Sequence, residues 1–157
     1  MVLSNNPKAL VIERAQRLGI PHKVFSKENF SSGMVLDWLH QERITHIVLA
    51  GFLWLIPETL VDAFPERIIN IHPSLLPKFG GHGMYGMKVH EAVRSSGEKE
   101  TGITIHLVNH RYDEGQILFQ ASCAVEDHHT PKDIAHCIHQ LEHEHYPQVI
   151  EKWILEK

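Results

Sequence analysis

Ile69-Asn70-Ile71-His72-Pro73-Ser74-Leu75-Leu76-Pro77 is the stretch on which the fold of this chain turns. Residues 68–71 read as a short strand buried in a sheet. Residues two apart on a strand point the same way, so Asn70 and His72 leave its carboxyl end on one side, an amide and an imidazole facing one spot. Open parallel sheets hold their ligands at the carboxyl ends of strands. The following segment, residues 73–85, contains Pro73, Pro77, Gly80, Gly81 and Gly83, which predicts a loop whose backbone can lie close to a ligand.

Upstream, His46-Ile47-Val48-Leu49-Ala50-Gly51-Phe52 is a continuous run with the pattern of a strand buried on both faces. Before it, Met34, Leu36, Trp38, Leu39 and Ile44 fit an amphipathic helix. Residues 22–25 read as a short strand, with His22 at its surface or edge. Leu10, Val11, Ala15 and Leu18 repeat at helical spacing, with Asn6 and Pro7 suited to open that helix and Gly19 to end it. Val2 and Leu3 form an apolar stub. Between the two buried strands, Pro57 starts a short helix carrying Leu60, Val61 and Phe64.

Downstream, Val89, Ala92 and Val93 predict a helix ending near Gly97. Ile103, Ile105 and Leu107 then alternate with Thr104, His106 and Val108, and residues 117–125 pair with that strand as an antiparallel edge. A last helix takes Thr130 as cap, Pro131 at its first position and Asp133 in its first turn, and bends or breaks near Pro147. Helices alternating with buried strands imply an α/β fold: a mostly parallel twisted sheet flanked by helices, as one domain over residues 1–157.

The formal net charge of -4 does not suggest electrostatic binding of nucleic acid or an anionic membrane, which leaves small molecules as the expected partners. No signal-peptide pattern opens the chain, no apolar run approaches the ~20 residues of a membrane span, and Cys123 and Cys137 are too few for a disulfide framework. These features predict two thiols in a reducing, cytoplasmic setting. His136, His139 and His143 share a helix face, but no His-Glu-x-x-His pattern accompanies them, so the expectation is a polar helix surface and no metal.

Acyl transfer requires a donor to the oxyanion of its tetrahedral intermediate and a group that moves protons between attacking and leaving atoms. Asn70 suits the first role and His72 the second, with Asp113 as the carboxylate that holds the imidazole and helps take a proton from an attacking amine. His106, and Thr104 on the same strand face, are candidates for a supporting layer behind these groups.

The run Asn70 to Lys78, with Asp113-Glu114-Gly115, residues 49–52, Glu142-His143 and Tyr146-Pro147, resembles the folate-dependent formyltransferase family over nearly the whole chain. The resemblance implies a Rossmann-like sheet and a catalytic set of Asn70, His72 and Asp113. It implies 10-formyltetrahydrofolate as co-substrate, held by Leu53, Trp54, Leu55, Ile56, Asn70, Asn109, His110, Arg111, Tyr112 and Asp113. An acceptor nucleotide would meet His139, Gln140, Leu141 and above all Glu142. Pro73 and the wording that follows it favour the purine-biosynthesis branch, whose acceptor amine is that of glycinamide ribonucleotide, over the branch acting on methionyl-transfer RNA. Homodimerisation is left open.

The same resemblance predicts that the family's first strand, its phosphate-holding loop and its first helix are absent, the first residues here matching the stretch after them. An exposed apolar slot and weak nucleotide binding are the expected consequences. Two alternatives therefore stand beside the transferase: a hydrolase of formyltetrahydrofolate, and a non-catalytic folate-binding fragment or paralogue.

Overall fold

The computed structural model describes residues 1–156, which form two compact units, residues 1–44 and residues 45 onward. In the first, strand β1 (Val2–Ser4) pairs in parallel with β2 (His22–Val24) through helix α1 (Leu10–Arg17). Helices α2 (Lys27–Ser31) and α3 (Met34–Gln41) follow. The apolar stub is thus a paired strand. Helix α1 begins later than expected: Asn6 Oδ1 accepts from the Lys8 N–H in a local turn, and Ala9 stands at the cap without a side-chain bond. Helix α2 is an additional element, closed by a reciprocal Ser26/Asn29 capping box.

The second unit holds strands β3 (Ile47–Leu49), β4 (Ile68–His72), β5 (Glu100–Leu107) and β6 (Ile117–Ala124) in spatial order β3-β4-β5-β6. Helices α4 (Glu58–Ala63), α5 (Met87–Ser96) and α6 (Pro131–Leu155) complete it. The α/β class is as expected and the sheet is mixed: β3 runs parallel to β4, whereas β4–β5 and β5–β6 are antiparallel. The expectation that the run through Val48 is buried on both faces does not hold. β3 is a three-residue edge strand and Val48 is 39% exposed, because β4 is its one strand partner among the described residues.

The core follows the alternation. Ile69 and Ile71 of β4 and Ile103 and Ile105 of β5 turn one side chain in two toward Val89 and Val93 of α5 and Ile134 and Ile138 of α6. Helix α5 stops at Gly97, whose φ of 74° suits the left-handed residue of a helix end. Helix α6 starts as read, with Thr130 and Asp133 in a capping box and Pro131 in the first turn. It does not break at Pro147 but continues to Leu155. On either side of the proline, Tyr146 and Trp153 pack into the core, and Tyr146 Oη donates to Leu49 O at 2.7 Å, so tertiary packing carries the helix across the missing N–H.

Cys123 of β6 and Cys137 of α6 are joined as a disulfide, which corrects the expectation of two thiols. Strand alternation and helix periodicity turn both side chains into the β6–α6 contact, a proximity that their 14-residue separation does not reveal. Among the described residues, no helix is long and apolar enough to cross a membrane.

Ile105, fully buried at the centre of this sheet, makes the core testable. Ile105→Ala is expected to lower unfolding stability by about 2–5 kcal/mol in urea titration, the range for emptying a packed aliphatic site. A loss under about 1 kcal/mol would place Ile105 outside the core.

Candidate active site

The register of β4 against β5 assembles the polar groups. Asn70 stands opposite His106 and His72 opposite Thr104, all on the face turned away from the isoleucine core. Asp113 arrives on the turn after β5, with φ 56°, in the left-handed region that aspartate tolerates better than most residues. Gly115 ends that turn so close to β5 that a Cβ there would lie 1.7 Å from Leu107 O, which explains a glycine two residues beyond the carboxylate.

Hydrogen bonds assign the protons. His106 Nδ1 lies 2.8 Å from the Leu107 carbonyl, a contact that requires an N–H, so in the neutral ring Nε2 is the acceptor. Asn70 Nδ2 donates to that Nε2 at 3.3 Å with one of its two hydrogens, leaving the other for a ligand. His72 Nε2 donates to Phe79 O at 2.8 Å, leaving Nδ1 as the basic nitrogen, 3.5 Å from Asp113 Oδ2. That gap exceeds a good hydrogen bond, so a proton-bearing atom of a ligand or water can bridge it after a small adjustment. Asp113 Oδ1 lies 3.5 Å from His106 Nε2, and its Oδ2 accepts from the Gly81 N–H at 2.9 Å.

Burial dominates the electrostatics. Desolvation lowers the His72 pKa below 6.5, and the opposing pull of the Asp113 charge and the Phe79 carbonyl does not restore it, while His106 lowers it further. Burial also opposes ionisation of Asp113, but His106 when protonated, which then donates its Nε2–H, the charge of His72 when protonated and the Gly81 N–H outweigh it, so the pKa falls below 3.8. An ionised carboxylate beside a neutral imidazole can orient a nucleophile and accept its proton.

These groups form one wall of a pocket of about 740 Å³, within the usual range for small-molecule sites. Leu53, Trp54, Leu55, Ile56, Asn109, Arg111 and Tyr112 line it as anticipated, as do His139 and Glu142, and His106, expected in the supporting layer, reaches it as well. Three anticipated residues do not, while Thr104 lies buried behind the wall, the place expected for it. His110 turns to Asp62 at 3.1 Å, Gln140 contacts His136 at 3.2 Å, and Leu141 packs on the core. On a helix, residues 139 and 142 share a face, whereas 140 and 141 are turned away from it.

His82, Met84, Tyr85 and His90 are pocket residues absent from the expected site, and Tyr146, expected only as part of the family pattern, lines the pocket too. The glycine-rich loop was the signal for the first three. His90 is masked by its position beside core residue Val89; it is 3% exposed, and its Nδ1 has no hydrogen-bond partner among the described residues. Burial, then the charges of His139 and His72, lower its pKa. Burial raises the Glu142 pKa against the opposing pull of His139 and His143.

The three α6 histidines named above gather no metal-binding set. Among the described residues, the group of three whose ligand atoms lie within 4.8 Å of one another is Glu126, His128 and His129, on the turn before α6. There His129 Nδ1 accepts the Glu126 N–H at 3.2 Å, which leaves the proton of the neutral ring on Nε2, and we assign no ion to the group.

A histidine whose folded pKa lies below its unfolded value makes the unfolded chain the stronger proton binder between those two values. Stability therefore falls as pH drops from 6.5 through the folded pKa of His72 and His90, and the depressed Asp113 pKa extends the loss below 3.8. The His72 Cε1–H resonance is expected to titrate below pH 6.5 by NMR, with the unfolding midpoint falling over the same window. A His72 midpoint at or above 6.5 would contradict this electrostatic description.

The formyl transferase family model matches residues 1–150. Curated relatives include the chloroplastic phosphoribosylglycinamide formyltransferase of Arabidopsis thaliana, 42% identical over 96% of this chain and 53% of its own length. Another is the phosphoribosylglycinamide formyltransferase of Bacillus subtilis, 37% identical over 97% of this chain and 78% of its own length. The crystal structure of the phosphoribosylglycinamide formyltransferase of Streptococcus pneumoniae superposes with a TM-score of 0.88 at 30% identity, over 98% of this chain and 86% of that one. The chain thus spans about half the length of the plant relatives it matches. With the pattern around Asn70, His72 and Asp113 and the mixed α/β sheet already in place, these matches establish that the chain belongs to the formyl transferase family.

Proposed function

We propose that this chain transfers the formyl group of 10-formyltetrahydrofolate to the amine of glycinamide ribonucleotide, a step of purine biosynthesis. The observation that carries the reading is the meeting of Asn70, His72 and Asp113 at one wall of a pocket of about 740 Å³. The names of the relatives support the choice of donor and acceptor.

The pocket suits both molecules in size and character. The segment 53–56 and Val108 offer apolar surface and main chain to a flat reduced-folate ring, with Asn109, Arg111 and Tyr112 beside it. His139 and Glu142 on α6, with His90 on α5, line another part of the same pocket and are assigned to the nucleotide. The folate supplies an activated formyl group; the remaining work falls to the side chains.

As the acceptor amine attacks the formyl carbon, negative charge develops on the formyl oxygen and positive charge on the amine. Asn70 meets the oxygen with its uncommitted amide hydrogen. Asp113, ionised and fixed by the Gly81 N–H, takes the amine proton directly or through one water. His72 Nδ1 faces Asp113 and receives that proton in turn, and the imidazolium then assists the oxyanion and returns the proton to the departing nitrogen. Phe79 O fixes the ring so that Nδ1, not Nε2, does this.

Asp113→Asn keeps the shape and removes the charge, so kcat for acceptor-dependent transfer is expected to fall far more than the KM for the folate. His72→Ala is expected to lower kcat by about 10²–10⁴, the range for a general acid–base group. Steady-state transfer assays on the two variants decide the matter: an unchanged kcat in both contradicts the assignment, and a loss confined to KM reassigns the pair to binding.

A further inference from the structure

The His72–Asp113 pair is held by a loop, and the loop is fastened from a strand that contributes nothing else to the pair. Phe79 O receives His72 Nε2–H and the Gly81 N–H caps Asp113 Oδ2, so residues 79–81 grip both groups. A Cβ on the intervening Gly80 would lie 3.3 Å from the Asp113 Cβ, which shows how closely this loop lies over the carboxylate.

Behind residues 79–81 the loop is tied by side chains. Thr104, fully buried on β5, donates its hydroxyl proton to Ser74 O at 2.7 Å and accepts from the Leu76 N–H at 3.0 Å. Ser74, also fully buried, donates to Lys78 O at 2.7 Å, next to Phe79 in the chain. One acceptor site of the Thr104 hydroxyl then remains, and Gln120 fills it. Gln120 sits directly opposite Thr104 in the β5–β6 register, and its Nε2 donates to Thr104 Oγ1 at 2.9 Å and to Leu76 O at 3.1 Å. Both hydrogens of its amide are thereby committed to the loop and its anchor.

We propose that Gln120 is a positioning residue for the His72–Asp113 pair, its amide clamping the 74–79 segment onto Thr104 so that Phe79 O and Gly81 N–H stay in register with the imidazole and the carboxylate. Gln120 touches neither group and reaches in from β6, the last strand of the sheet. The residue is largely exposed, so replacing it empties no core site, and loss of the clamp is separable from loss of the fold. The inference rests on the reading of His72 and Asp113 as the reacting pair, but the geometry it predicts does not require turnover.

Native-state hydrogen exchange by NMR tests the clamp in the wild-type chain and in Gln120→Leu. The Leu76 and Gly81 amides are expected to exchange about tenfold faster in the variant, while the β5 amides of Ile103 and Ile105 keep their protection. The kcat of formyl transfer is expected to fall about tenfold at unchanged KM. Gln120→Asn, which retains an amide one carbon too short to reach, repeats the readout should leucine disturb the edge strand. Unchanged Leu76 and Gly81 exchange in a folded variant overturns the proposal. So does faster exchange with unchanged kcat where Asp113→Asn has abolished transfer. If Asp113→Asn itself leaves turnover intact, faster exchange supports the clamp and it is the catalytic reading of Asp113 that fails.

Discussion

The antiparallel register between β4 and β5 is the constraint from which the rest of the site follows. It sets Asn70 against His106 and His72 against Thr104 on one face, and Ile71 against Ile105 on the other. Strand side chains alternate, so a slip of one residue would move His106 and Thr104 into the apolar core and turn Ile103 and Ile105 out of it. The hydrophobic effect that buries those isoleucines therefore also fixes the polar pairs. No separate force is needed to bring residues 36 positions apart within 3.3 Å.

That arrangement has an electrostatic consequence. A face backed by a dry sheet and roofed by the 73–86 loop removes water from His72, His106 and Asp113, whose side chains are 5%, 3% and 11% exposed. Desolvation alone would push His72 and Asp113 toward their neutral forms, yet the Asp113 pKa is held low because imidazoles, when protonated, and a backbone N–H face it. His72 has fewer such compensations and is pushed toward the neutral form. The environment thus separates two groups into a charged acceptor and an uncharged relay, which a tolerant, water-filled cleft would not do.

Much of this was readable in the residues because it rests on local periodicity. Asn-x-His on a strand end, the Thr130-Pro131 start of α6, the α5 stop at Gly97 and the β5–β6 pairing are short-range patterns, and each is present in the fold. Whatever depended on tertiary neighbours was not readable. Helix α6 passes through Pro147 because Tyr146 and Trp153 are anchored in the core, and β3 is exposed because of its place at a sheet edge. Gln140, Leu141 and His110 lie near the right segments but turn toward His136, the core and Asp62. The Cys123–Cys137 link and the reach of Gln120 to Leu76 require two elements to be docked before either can be seen.

The central claim is that the described pocket both binds the folate and directs its formyl group to an amine. Release of tetrahydrofolate from 10-formyltetrahydrofolate by this purified chain, followed by absorbance with and without glycinamide ribonucleotide, tests it most directly. The account predicts release that depends on the nucleotide and saturates with it. Release at the same rate without the nucleotide would make the chain a hydrolase, and saturable folate binding with no release under either condition would make it a binding protein; each contradicts the account.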